Sequence, residues 1–121
     1  MKPGRELDAL VAKKVMGWTK HRRAAGEDVD YSFNWVPPEF RGDVAYWRPL
    51  PRYSEDIAAA WVVVSKLPCA HLAVEWRDGR GWEAWFAIWD SVKQDADVYE
   101  GLGDTAPHAI CLAALKAVGA L

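Results

Sequence analysis

Ser54 and Thr105 stand where two helices are expected to begin, and a helix start presents unpaired backbone N–H groups that favour an anion. Arg48, Arg52 and His108 lie close in sequence to those two starts. If the starts converge, a phosphate or carboxylate could be held between them while Tyr53 or Trp47 stacks on a base or ring. Trp47, Arg48, Arg52, Tyr53, Ser54, Thr105 and His108 therefore form the expected ligand site. The plainer alternative is that Ser54 and Thr105 only cap their helices, with Arg52 in solvent.

The eight tryptophans offer a second possibility. Trp35, Trp47, Trp85 and Trp89 could line an aromatic pocket for a nucleobase or another planar ligand. Trp18, Trp61 and Trp76 occupy helical or strand-alternating positions and are expected in the core.

Signals for catalysis are poor. His21, His71 and His108 are far apart, with no paired metal spacing and no HExxH. Cys69-Ala70-His71 could be drawn as a nucleophile and base, but a third, orienting group is missing. Asp56 and Asp104 could pair as acids, yet helix starts carry acids for the dipole alone. No phosphate-binding loop or dinucleotide fingerprint is present, and no cofactor or metal is expected.

The elements that must position these groups follow from periodicity. Leu7, Leu10, Val11, Val15 and Trp18 recur at helical spacing, so Arg5 to about Trp18 reads as an amphipathic helix, with Asp8 and Lys13 on its other faces and Gly17 as a stop. From Lys20 to Arg52 the chain is irregular and proline-bounded, with one short strand expected across Tyr31, Phe33 and Trp35. Ser54 opens a second helix whose buried stripe is read as Ile57, Ala60, Trp61, Val64 and Leu67, closed by Pro68. Ala70–Arg77 and Trp82–Trp89 alternate about a Gly-rich turn and form a hairpin, partly covered on both faces. A further short strand is expected near Val98-Tyr99. Thr105 caps the last helix, Pro107 is tolerated in its first turn, and residues 109 to 118 are apolar nearly all round, so this helix should be the most buried.

Strands and helices segregate instead of alternating. The expected class is α+β: a small antiparallel sheet, with the Trp-rich hairpin at its centre, packed with three α-helices in a layered sandwich. At 121 residues, 51% hydrophobic and 26% charged, the chain suits one domain over residues 1–121 that needs no disulfide or metal to fold. Cys69 and Cys111 make no disulfide framework. The net charge of -2 argues against a general nucleic-acid binder, the run Lys20-His21-Arg22-Arg23 being the one basic cluster. No stretch has the length of a membrane span and no signal peptide is evident, so a cytoplasmic protein is expected.

Three stretches taken in order carry a resemblance: Leu7-Asp8-Ala9-Leu10-Val11-Ala12-Lys13-Lys14-Val15-Met16-Gly17-Trp18, Tyr53-Ser54-Glu55-Asp56-Ile57-Ala58-Ala59-Ala60-Trp61, and Thr105-Ala106-Pro107-His108-Ala109-Ile110-Cys111-Leu112-Ala113-Ala114-Leu115-Lys116-Ala117. Together they resemble the phage ABA-sandwich domain, a family of small phage and prophage proteins. The resemblance covers the three helices and the hairpin before the last. It implies a layered fold and a phage or prophage origin, and it carries no activity. Lys13 stands where the family pattern leads one to expect Glu, and the segment from Thr19 to Leu50 has no counterpart in that pattern.

The function that fits is an accessory protein acting by binding, not catalysis, in the host cytoplasm if phage-encoded. Its partner is expected to be a small anionic or nucleotide-like ligand, or a host protein. Two alternatives stay open: a structural or interaction homo-oligomer with an exposed apolar patch from the Trp35–Trp47 region, and a small hydrolase using His71 or His108.

Overall fold

The computed structural model describes residues 1–22 and 33–121. Tyr31 and Ser32 of the expected first strand, and Arg23 of the basic cluster, lie outside the described residues. In chain order the elements are α1 (Arg5–Lys14), β1 (Thr19–Arg22), β2 (Phe33–Val36), 3-10 turns at Pro38–Phe40 and Val44–Tyr46, α2 (Ile57–Lys66), β3 (Cys69–Arg77), β4 (Gly81–Asp90), β5 (Asp95–Gly103) and α3 (Ala106–Ala117). The protein is α+β, as the segregated pattern indicates. One sheet is the antiparallel pair β1–β2, and the other is the antiparallel meander β3–β4–β5 with β4 central.

The meander extends further than its sequence pattern. β5 covers nine residues, where only Val98-Tyr99 looked strand-like. Register with β4 explains the difference: Phe86 pairs with Tyr99, Ala84 with Gly101 and Trp82 with Gly103. Central-strand pairing thus holds a polar, glycine-bearing segment extended despite its weak β propensity. The two glycines also let the last helix approach. A Cβ on Gly103 would lie 2.7 Å from the Ala109 backbone nitrogen, and one on Gly101 would collide with backbone atoms of Ala109 and Ala113. α3 therefore lies directly over β5 and β4, and eight of its residues are buried. It is the most buried helix, as its all-round apolar sequence indicates.

α1 and α2 pack in turn against α3. Leu7, Val11, Ala60, Val63, Phe86, Ile110 and Leu115 meet in the core. α1 is shorter than its apolar repeat, ending at Lys14, with Gly17 at φ 79° turning the chain and the Trp18 N–H bonded to the Ala12 carbonyl at 2.9 Å.

Several side chains sit elsewhere than their spacing indicates. α2 buries Ala60 and Val63, while Trp61 is 48% exposed and Ile57 also faces solvent. The helix is apolar on every side, so its periodicity fits several stripes and cannot select the one that meets α3. Trp76 does share a face with Leu72 and Val74, yet it is 58% exposed. α3 covers β4 and β5 more closely than the edge strand β3, and Trp76 meets the edge of Trp82, ring centroids 5.9 Å apart. Asp8, placed by spacing on a polar face, is fully buried.

Candidate functional site

Of the seven expected ligand-site residues, Tyr53 lines a cleft, and several of the others are engaged in local bonds. Ser54 is not the cap of α2. Asp56 is, its carboxylate accepting from the Ala58 N–H at 2.9 Å. Ser54 lies buried two residues earlier, where its N–H and hydroxyl both donate to Asp8 Oδ1, at 2.8 and 2.6 Å. Its Oγ also accepts from the Gly4 N–H at 2.8 Å. The serine is a staple between the start of α1 and the turn before α2, and no part of it is left for an anion.

Thr105 does cap α3, accepting from the His108 N–H at 3.3 Å. His108 is buried with both ring nitrogens engaged. The Asp104 N–H donates to Nδ1 at 3.0 Å, so Nε2 carries the proton and donates to the Met1 carbonyl at 2.7 Å. Residues 1–4 thus link the start of α3 to the turn before α2. The two starts are linked through residues 1–4, and Ser54 and His108 spend their polar atoms on that link.

Trp47 and Arg48 are exposed. The Arg48 guanidinium donates to the carbonyls of Tyr46 and Trp47, at 3.3 and 3.0 Å, and lies over the Phe40 ring, which stacks on Tyr46. Arg52 is exposed, and its carbonyl accepts from the N–H groups of Glu55 and Asp56. The four tryptophans considered as one pocket are also dispersed. Trp35 is buried on β2, which removes it from the expected Trp35–Trp47 surface patch, Trp47 follows a 3-10 turn, and Trp85 and Trp89 share one face of β4. Cys69 packs against the core while His71 is exposed, so the two do not face each other. Among the described residues, no group of three or more His, Cys, Asp or Glu could hold a metal ion.

Tyr53 has a different setting. It is 2% exposed, and the Trp18 side chain lies beside its phenol. Burial pushes its phenol up to about 12, opposed by the influence of Trp18 and reinforced by the nearby Asp8 carboxylate. Tyr53 and Trp18 form one wall of a cleft of about 300 Å³. Pro37 and Pro38 from the β2 end, Pro51, Met16, and Ala59 and Val62 of α2 complete it. Ala59, Val62 and Lys66 follow one another at helical spacing and so present a single face of α2. Lys66 and Glu39, both exposed, are the charged members of the lining.

Sequence reasoning had Tyr53 in the site but gave Trp18 to the core and overlooked the prolines, Val62 and Lys66. One signal was available: Trp18, just beyond the Gly17 stop, and the doublet Pro37-Pro38 are aromatic and rigid groups at element ends, where side chains line clefts more readily than cores. Gly17 lies against Pro38, with a Cβ there only 3.6 Å from the proline ring.

The cleft is apolar and aromatic with few polar groups, the usual make-up of a small-molecule site. Its volume lies at the low end of such sites, which run from about 300 to about 1,000 Å³. Its floor offers rings and prolines for a flat ligand, and its rim offers one cation for an anionic substituent.

The family model for the phage ABA sandwich domain matches residues 9–115 of this chain. The match spans the segment from Thr19 to Leu50 that had no evident counterpart, and with it the proline doublet of the cleft. Among solved structures, the chain is similar to a phage protein from Bacillus cereus ATCC 14579, with 28% identity, a TM-score of 0.66, and coverage of 95% of this chain and 90% of that one. No curated protein matches it.

Proposed function

Since the chain belongs to the phage ABA sandwich domain family, we propose that it is a phage accessory protein that acts in the host cytoplasm by binding a small, flat, anionic ligand, of nucleotide-like chemistry, in the cleft between Trp18, Tyr53 and α2. The observation that carries this reading is the cleft itself, about 300 Å³ walled by two aromatic rings and three prolines, with Lys66 at its edge.

The physical logic is as follows. A base or similar ring stacked on an aromatic side chain gains about 1–3 kcal/mol. Proline rings add apolar contact at low entropic cost, because their backbone is already restricted. Tyr53 stays un-ionised throughout the physiological range, so the wall remains neutral and does not repel an anion. Lys66 supplies a single favourable charge, and Glu39 disfavours ligands with an acid on its side of the rim.

Thermal unfolding across a panel of nucleosides, mononucleotides and cyclic nucleotides tests the reading. A ligand at about 100 times its Kd stabilises the folded state by about 2.7 kcal/mol, a readable rise in Tm. Val62→Arg, which fills the cleft from an exposed helix position, should abolish that rise. No shift with any member of the panel would remove the proposal.

A further inference from the structure

We infer that the cleft selects one nucleotide chemistry: a guanine-type ring, whose edge carries adjacent N–H donors, joined to a single phosphate. The inference rests on the cleft being the ligand site, and it adds which ligand enters and which way round. Glu39 and Lys66, the charged members of the lining, decide it. Glu39 belongs to the 3-10 turn Pro38–Phe40, and Lys66 is the last residue of α2, so the two charges come from different walls. They do not neutralise each other. Among the described residues, neither makes a hydrogen bond or an ion pair with the other or with a third group.

The backbone under both groups is fixed. Pro37 and Pro38 precede Glu39, and the N–H groups of Phe40 and Arg41 donate to the carbonyls of those two prolines, both at 3.1 Å. Lys66 stands in the last turn of α2, where the helix dipole favours a cation. Burial is the chief reason the Tyr53 phenol sits up at about 12, and the Glu39 carboxylate adds to it. The acid therefore lies within electrostatic reach of the aromatic wall on which a base would stack.

An unpaired carboxylate and an unpaired ammonium in one apolar cleft suit a ligand with both a donor edge and an anion. Carboxylates are held best by two parallel N–H donors. Guanine presents such a pair, a ring N–H beside its exocyclic amino group. Adenine and cytosine set an acceptor beside their amino group, and uracil sets its N–H between two carbonyls that repel a carboxylate. The charges also orient the ligand, since a phosphate is repelled by Glu39 and drawn to Lys66. From Ala59 to Lys66, α2 spans about 10 Å at about 1.5 Å per residue, room for a base and its sugar before the phosphate meets the ammonium. One ammonium matches one phosphate, and a cleft of about 300 Å³ suits one nucleotide and not two.

Isothermal titration calorimetry with the monophosphates of guanosine, inosine and uridine, and with guanosine itself, decides the matter. Guanosine monophosphate should bind about tenfold or more tightly than inosine monophosphate, which lacks the exocyclic amino group, and the uridine compound should be weakest. Glu39→Gln should remove most of the preference for guanosine over inosine. Lys66→Gln should weaken guanosine monophosphate by about tenfold and leave guanosine nearly unchanged. Both positions are exposed, so the circular dichroism spectrum and the Tm without ligand should stay as they are. Equal binding of the three monophosphates, abolished by Val62→Arg but indifferent to Glu39→Gln, would overturn this selectivity while leaving the cleft as the ligand site. Binding of none of the four would overturn both.

Discussion

At the residue scale, the buried Asp8–Ser54 pair does more to fix the architecture than any exposed charge. Asp8 Oδ1 takes two bonds from Ser54, while Oδ2 is buried with no hydrogen-bond partner among the described residues. Ser54→Ala removes the hydroxyl that joins Asp8 to Gly4 and should cost about 1–3 kcal/mol in urea unfolding, because a buried carboxylate is then less satisfied. Nothing in the sequence reveals this pair, whose members are 46 residues apart. Spacing sees Asp8 only as an acid in the first turn of α1, useful to the dipole, and Ser54 only as a cap.

Burial also sets a pH dependence. Tyr53 and Cys111 are both pushed up to about 12, in each case chiefly by burial. In the unfolded chain these groups lose their protons near 10 and 9. Between roughly pH 9 and pH 12 the unfolded state therefore releases protons that the folded state keeps, and stability falls as pH rises. Denaturation midpoints should be flat from neutral pH to about 9 and then decline, and Cys111→Ala should remove the part that begins lowest. A thiol reagent at pH 8 should modify Cys69, which is half-buried, long before the fully buried Cys111.

At the scale of elements, the helices and the hairpin were legible because each carries a periodic apolar pattern with a recognisable start or stop. Gly17, Pro68, Thr105 and Gly119 mark boundaries for local reasons, and such reasons can be read from neighbours in sequence. β5 was largely hidden, since its extended form comes from pairing with β4. The role of Gly101 and Gly103 was hidden for the same cause: their lack of a side chain matters only because α3 crosses there. Gly101→Ala should destabilise by about 3 kcal/mol or more, because backbone on both sides blocks the new methyl. By contrast, Asp56→Ala removes only an exposed cap bond and should cost about 1 kcal/mol.

At the scale of the whole molecule, the α+β layering was accessible from the order of elements, but the cleft was not. It gathers Trp18 from the end of α1, prolines from two loops, Tyr53, and one face of α2. Each of those groups has a sufficient local explanation, so only their convergence singles them out. In the expected anion site the converse holds. Its helix starts are linked through residues 1–4, and Ser54 and His108 spend their polar atoms on Gly4, Asp8 and Met1.

The indole N–H signals of the eight tryptophans, followed by two-dimensional NMR while a nucleotide that raises Tm is titrated in, test the account most directly. Each signal is assigned by a Trp→Phe substitution. Trp18 should shift in proportion to saturation, with Trp47 and Trp89 unmoved. A shift confined to Trp47, with Trp18 silent, would place the ligand on the Arg48 surface and contradict the cleft.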